Sequence, residues 1–331
     1  MTNALIWLRR LEETSDSIKQ GEELLKTLPQ ELTRAYKQRE AYLAFLKGSF
    51  YINKGGNQKD VDLATKHFEN SLAMREELGI KHEIAESLIL KGFNLCIFKG
   101  ELDRGLKYAE RGLALAKESA KTYYVAISLF FTGKIYSLKG ELDRSIRLQE
   151  QSLELYKELN NKSGMANVLN SLSNTYKVKG ELNRALECTE QSIALYRDLG
   201  HLIYVAYGYD NLIQILIDKG DIERAQSSLH DLEQWNNQLK DKQINLIFLR
   251  DKALVLKTSL RARDRGNAEE ILKQILEETG TYEGRYMALL NLCDLLLTEL
   301  RMTNDLEVLD ELTQFVGQLL ELADKSHSYF I

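Results

Sequence analysis

Proline is nearly missing from this chain of 331 residues: only Pro29 is present, so Pro-rich linkers and the edge-strand punctuation of all-β folds are excluded. Cysteine is also scarce. Cys96, Cys188 and Cys293 are odd in number and far apart, and none stands in a C-x-x-C or comparable metal spacing, so neither a disulfide framework nor a zinc site is expected. A reducing cytoplasm suits that usage. No run of about 18 apolar residues occurs, so no membrane-spanning helix is expected, and the opening MTNALIWLRRLEE lacks the apolar core and cleavage site of a signal peptide. An excess of positive charge is absent too. Lys plus Arg total 44 against 49 Asp plus Glu, a net charge of −5, which gives no general attraction to nucleic-acid phosphates or anionic lipid.

Leu, Glu, Lys, Ala and Tyr are abundant instead, the composition of an all-α chain. The chain also repeats itself. KGELDR stands at 99–104 and again at 139–144, KGELNR at 179–184 and KGDIER at 219–224. Gly100, Gly140, Gly180 and Gly220 thus fall at equal intervals, the signature of a repeat of about 40 residues. Aligned from Lys139 and Lys179, 11 of 21 positions are identical. Apolar residues recur at spacings of three and four, as in Leu169, Leu172 and Tyr176 and then Leu182, Leu186 and Ile193, which marks two amphipathic helices per unit. The glycine between them suits a left-handed position closing the first helix, and Asp103, Asp143 or Asn183 is placed to cap the second. The charged hexapeptide is therefore turn chemistry.

This pattern resembles the tetratricopeptide repeat family, whose somewhat shorter unit of about 34 residues places small residues where two helices cross. Gly133 and Ser173 occupy the small position of the first helix, with Tyr136 and Tyr176 three residues on; Gly105, Ser145, Ala185 and Ala225 open the second helix, followed by Gly112, Ser152 and Ser192. Phe93 and Ile213 depart from the first small position, Cys96 and Leu216 from the aromatic, and Leu232 from the last small one. The longer period is similar to the repeats of kinesin light chains, some polarity scaffolds and bacterial and archaeal signalling regulators. Weaker copies extend both ways, through Ala64 and Ser71 upstream and Ala268, Leu272 and Ile275 downstream, while SDSIKQGEELLKTLPQ at 15–30 reads as the second helix of a degenerate unit ended by Pro29.

The resemblance implies an α-solenoid, a right-handed superhelix of antiparallel helical hairpins, running over 1–331 as one body. Its parts are a degenerate cap over 1–33, repeats over 34–79, 80–120, 121–160, 161–200 and 201–240, and irregular repeats with a cap over 241–331.

Catalytic chemistry is not evident. His67, His82, His201, His230 and His327 show no metal spacing, no phosphate-binding loop is present, and the pair Gly55-Gly56 is a helix-joining turn. No cofactor is implied. Binding is the expected function.

In the resembled family the first helix of each hairpin lines the concave groove. Six residues before each repeat glycine stand Asn94, Lys134, Asn174 and Gln214; ten before, Phe130, Asn170 and Asp210; nine before, Lys91, Phe131 and Asn211; thirteen before, Asn167 and Tyr207. Asn167, Asn170 and Asn174 share one helix face, and amides supply both the donor and the acceptor that a peptide backbone needs. Asparagine is also a poor mid-helix residue, so three on one stripe lose helix propensity with no structural return. Phe130, Phe131 and Tyr207 would make side-chain pockets. Lys91, Lys134 and Lys177 make the centre mildly basic, which favours a protein or peptide partner with some negative charge. The carboxylate clamp of chaperone-binding relatives is not reproduced, because its lysine and asparagine do not fall at matching positions. Two uses are open: a protein-interaction scaffold, or the peptide- or ligand-sensing module of a signalling system. The closing SHSYFI is expected to pack onto the last helix.

Overall fold

Helices account for the secondary structure of the computed structural model, which describes residues 11–27, 34–54, 58–279 and 282–325; among them there is no strand. Fifteen helices are described. They are α1 (Leu11–Thr27), α2 (Arg34–Lys54), α3 (Gln58–Leu78), α4 (Lys81–Lys99), α5 (Leu102–Glu118), α6 (Thr122–Leu138), α7 (Leu142–Glu158) and α8 (Lys162–Lys179), then α9 (Leu182–Asp198), α10 (Leu202–Asp218), α11 (Ile222–Leu239), α12 (Lys242–Lys257), α13 (Ala262–Glu278), α14 (Tyr282–Thr303) and α15 (Leu306–Lys325). Pro29, Gly55, Gly56, His327 and the closing SHSYFI lie outside the described residues. No described helix is long and apolar enough to cross a membrane.

Backbone contacts divide the chain into two units, Met1–Thr175 and Tyr176–Ile331, with the boundary inside α8. In the first unit α2 pairs with α3, α4 with α5 and α6 with α7; in the second, α10 pairs with α11, α12 with α13 and α14 with α15. Each pair is a helical hairpin.

The turn inside a hairpin follows from its glycine. Gly140 adopts φ 77°, Gly140 N–H donates to the Ser137 carbonyl at 3.0 Å, and Glu141 N–H reaches back to the Tyr136 carbonyl at 2.9 Å. These are the two bonds of a Schellman ending, which satisfies carbonyls left over at the end of α6. A second left-handed register, with the same repeat spacing, joins one hairpin to the next: Ala120, Asn160, Gly200 and Lys240 have φ 52°, 49°, 68° and 50°. Only one of these four is glycine, so residue type does not announce the register.

The capping expectation needs correction. α5, α7 and α9 begin at Leu102, Leu142 and Leu182, two residues earlier than a cap at Asp103, Asp143 or Asn183 requires, and their cap residues Glu101, Glu141 and Glu181 make no side-chain cap bond. A glutamate side chain is too long to turn back onto its own helix start; each of the three pairs instead with the arginine three residues on, at 2.8, 2.9 and 3.0 Å. Where Asp221 takes the same place, its shorter carboxylate does accept the Arg224 N–H, at 3.3 Å. Asp103 joins repeats instead, accepting Lys139 Nζ at 2.7 Å, and in the second unit Asn183 accepts Lys219.

Close helix crossing explains the small residues. A Cβ built on Gly92 would stand 2.5 Å from the Gly105 carbonyl oxygen, and one on Gly133 would stand 2.8 Å from Gln149 Cγ. Phe93 therefore leaves no gap at the first small position of α4, because Gly92 beside it makes the crossing. Ser71 and Ser152, both fully buried, donate to the Ala41 and Ala126 carbonyls at 2.8 and 2.7 Å, so the small hydroxyl pins the second helix to the first.

Two kinds of substitution separate these backbone effects. Ala120→Gly relieves a left-handed alanine and raises stability in urea by about 0.5–1 kcal/mol, while Asn160→Gly is close to neutral because asparagine tolerates that conformation. Gly92→Ala meets backbone rather than a movable side chain and lowers stability by about 1–3 kcal/mol. Equilibrium unfolding followed by circular dichroism measures all three.

Candidate functional site

The residues expected to line a groove are carried by the first helix of each hairpin, and their surroundings differ from one helix to the next. On α4, Asn94 is 3% exposed and donates to Thr65 Oγ1 on α3 at 3.1 Å. Lys91 is also buried, with Nζ 3.1 Å from Glu69 Oε1 and 4.8 Å from the Tyr108 ring centre. Repeat register points both toward a ligand; the structure commits both to the neighbouring outer helices. A polar residue on an inner helix faces a ligand only if no outer-helix partner reaches it, and here Thr65 and Glu69 do.

On α6 the aromatic expectation changes in the same direction. Phe131 is 2% and Phe130 8% exposed; the two rings lie 5.0 Å apart, and Phe131 meets Phe93 at 5.0 Å edge to face. They are core residues with a function in shaping what lies above them. Lys134 stands there, half-buried, with Nζ 4.7 Å from the Phe93 ring centre and 5.6 Å from that of Phe130. Among the described residues it has neither a hydrogen bond nor an ion pair. Removal from water draws its ammonium down to about 8.

On α8, Asn167 and Asn170 are half-buried and Asn174 is exposed. Asn167 has a partner of its own; the amides of Asn170 and Asn174 make no hydrogen bond among the described residues.

The second unit holds a polar cluster. Lys177 Nζ donates to Asn211 Oδ1 at 3.2 Å and to Gln214 Oε1 at 3.0 Å, and the Gln214 amide in turn donates to Asp210. Asp210 also accepts the guanidinium of Arg250, one repeat further on, and Asn211 donates to Thr189 at 3.3 Å. Tyr207 donates to Gln243 at 3.3 Å. Asp210, Asn211 and Gln214 are thus brought together, tied to each other and to α12.

Arg250 and its neighbour Asp251 escape the register read from the glycines, although adding one repeat period to Asp210 and Asn211 arrives at them. The same arithmetic applies to Lys177, whose bonds recur two repeat periods later: Lys257 Nζ donates to Asn291 at 3.0 Å and to Asp294 at 2.8 Å. Asp251 is fully buried, and neither carboxyl oxygen finds a donor; the Arg250 Nε lies 3.5 Å away. Burial, and then the charge of Asp210, raise the Asp251 carboxyl well above the ordinary range against the pull of Arg250. Among the described residues no group of three metal-ligating side chains occurs.

The family model of the MalT-like TPR region matches residues 56–325. The chain belongs to that family. No match is found among curated proteins. Solved structures give the fold: the apo quorum sensor NprR from B. thuringiensis has TM-score 0.66 at 15% identity, over 97% of this chain and 85% of that one. Aspartyl phosphate phosphatase F from Bacillus subtilis has TM-score 0.64 at 11% identity, over 97% and 92%. A Rap protein complexed with competence and sporulation factor has TM-score 0.62 at 15% identity, over 98% and 96%. This TPR chain is accordingly all-α across its described residues, and its second unit is held by polar bonds repeated at the period of the hairpins.

The buried acid gives a test. A carboxyl raised in the folded state binds its proton there while the unfolded chain has already lost it, so above the ordinary Asp value stability falls as pH rises. Asp251→Asn removes this: the variant is at least as stable as the parent at pH 8 and loses its relative advantage toward pH 4. Urea midpoints across that range measure the crossing trend.

Proposed function

We propose that this TPR chain is a peptide-binding regulatory module whose inner face, on α6 and α8, takes an extended segment carrying negative charge. The observation that carries the reading is Lys134. A half-buried ammonium seated on two phenylalanine faces with no anion against it is stabilised by any carboxylate or phosphate that arrives, because the pair restores what desolvation took away. Asn170 and Asn174 lie on the inner helix of the next repeat and offer free donors and acceptors to a peptide backbone. Apolar faces beside a charge anchor are what a short peptide needs for both affinity and register.

A sensing use is favoured over plain scaffolding by two fold neighbours, a Rap protein solved with competence and sporulation factor and the quorum sensor NprR, each matched over nearly all of this chain. The overall acidity of −5 argues against nucleic acid as the partner.

Screening a peptide array against the full chain tests the reading. Acidic peptides are retained, and Asn170→Ala with Asn174→Ala weakens them about tenfold at unchanged helicity, at about 0.5–1.5 kcal/mol per lost hydrogen bond. Affinity for the acidic peptide falls as pH rises through about 8, where the free protein gives up the Lys134 proton, and Lys134→Gln flattens that profile. Unchanged affinity in the double variant, or binding confined to a small metabolite, overturns the reading.

A further inference from the structure

In the first unit, residues of α1, α2, α3, α4 and the start of α6 line a cavity of about 870 Å³, within the size range of small-ligand sites. Its floor is a charged group that the groove does not use. Arg75, 1% exposed, spends Nη1 on the Glu83 carbonyl at 2.8 Å, Glu86 Oε2 at 3.1 Å and Ser87 Oγ at 2.9 Å, and its guanidinium lies 4.6 Å from the Phe45 ring centre. Glu83 receives the Gln38 amide on Oε1, but its Oε2 is shut from solvent and accepts no hydrogen bond, with Arg75 Nε 3.7 Å away. Two carboxylates therefore share one guanidinium. Burial pushes Glu86 above its ordinary value, against Arg75.

Tyr42, Tyr123 and Tyr124 form the wall. Tyr42 and Tyr123 are 40% and 42% exposed, so their rings are open to the cavity, while Tyr124 packs on His82 at 4.7 Å. Desolvation keeps all three phenols neutral, Tyr124 being pushed up to about 12. Leu24 and Leu25 of α1 supply an apolar side.

An anion finds little here, since Arg75 is already engaged and Arg39 at the lining is exposed and well hydrated. A cation finds two carboxylates set against one engaged guanidinium, and the faces of tyrosine rings, which attract ammonium groups. We propose that this cavity binds an organic ammonium group carried on an aromatic or aliphatic body. That chemistry is supplied either by a free amine or by the N-terminus of a peptide.

Isothermal titration of the full chain decides it, with tyramine, its neutral analogue p-cresol and its anionic analogue 4-hydroxyphenylacetate as probes. Tyramine binds, p-cresol and 4-hydroxyphenylacetate bind at least tenfold more weakly, and Glu83→Gln and Glu86→Gln each reduce tyramine affinity about tenfold or more. Should Glu86→Gln fail to fold, Glu83→Gln decides, because Glu83 is the more exposed partner. Phe-Gly-Gly and its N-acetyl form separate the sources: binding of the free peptide alone identifies a peptide N-terminus, and binding of tyramine without the peptide identifies a small amine. Lys134→Gln leaves tyramine binding unchanged, so this site stands or falls apart from the peptide face. No binding of any amine, equal binding of p-cresol, or equal binding of the acetylated peptide overturns the proposal.

Discussion

The closest approach between the two helices of a hairpin is the constraint on which the rest depends. At Gly92 and Gly105 a single added Cβ would meet backbone at 2.5 Å, and elsewhere a fully buried serine both fits the crossing and bonds across it. Helices held that near have little room between them for large side chains, so the apolar bulk is displaced to the ends of the crossing and to the neighbouring repeat. Tyr136, Tyr156, Tyr176 and Tyr196, all buried, are examples. The spacing of the crossing thereby fixes which inner-helix residues meet an outer helix and which are left over.

That division separates structural from functional polarity on the inner helices. Asn94 and Lys91 sit where α3 offers Thr65 and Glu69, so their polarity is consumed in packing. Lys134 occupies the same repeat position as Asn94, but it lies against aromatic rings and makes no hydrogen bond or ion pair among the described residues. Identity of register is not identity of environment. In the second unit the equivalent residue Gln214 is drawn into bonds with Lys177 and Asp210, and the cluster closes on itself through Arg250. Buried polar networks of this kind are costly when one member is unsatisfied and specify an arrangement when complete. Asp251, whose carboxyl oxygens find no hydrogen-bond partner among the described residues, is the unsatisfied member.

Legibility in the sequence follows the same line. Helix number and turn positions come from glycine spacing and apolar periodicity, because both act locally and return in every repeat. The left-handed register at Ala120, Asn160 and Lys240 is hidden, since only at Gly200 does residue type report the conformation. The caps fall two residues before where residue preference puts them, on glutamates that make no side-chain cap bond and pair with an arginine instead. Groove positions are readable as positions; whether each one faces a ligand depends on partners in adjacent helices, which a single repeat does not contain. The cluster around Arg250 shows how far the period itself carries: stepping Asp210 and Lys177 forward by whole repeats leads to the residues that matter.

Charge distribution adds a last step. The chain is acidic overall, yet two of the polar groups that make no hydrogen bond among the described residues have opposite demands: the Lys134 ammonium on α6, and Glu83 Oε2 at the start of α4, which lies 3.7 Å from Arg75 Nε. Both belong to the first unit. Lys134 and Tyr123 lie on the same helix, about 16 Å of helix rise apart. An extended chain covers that distance in about five residues. The peptide face and the amine cavity thus share one helix while calling for opposite charges.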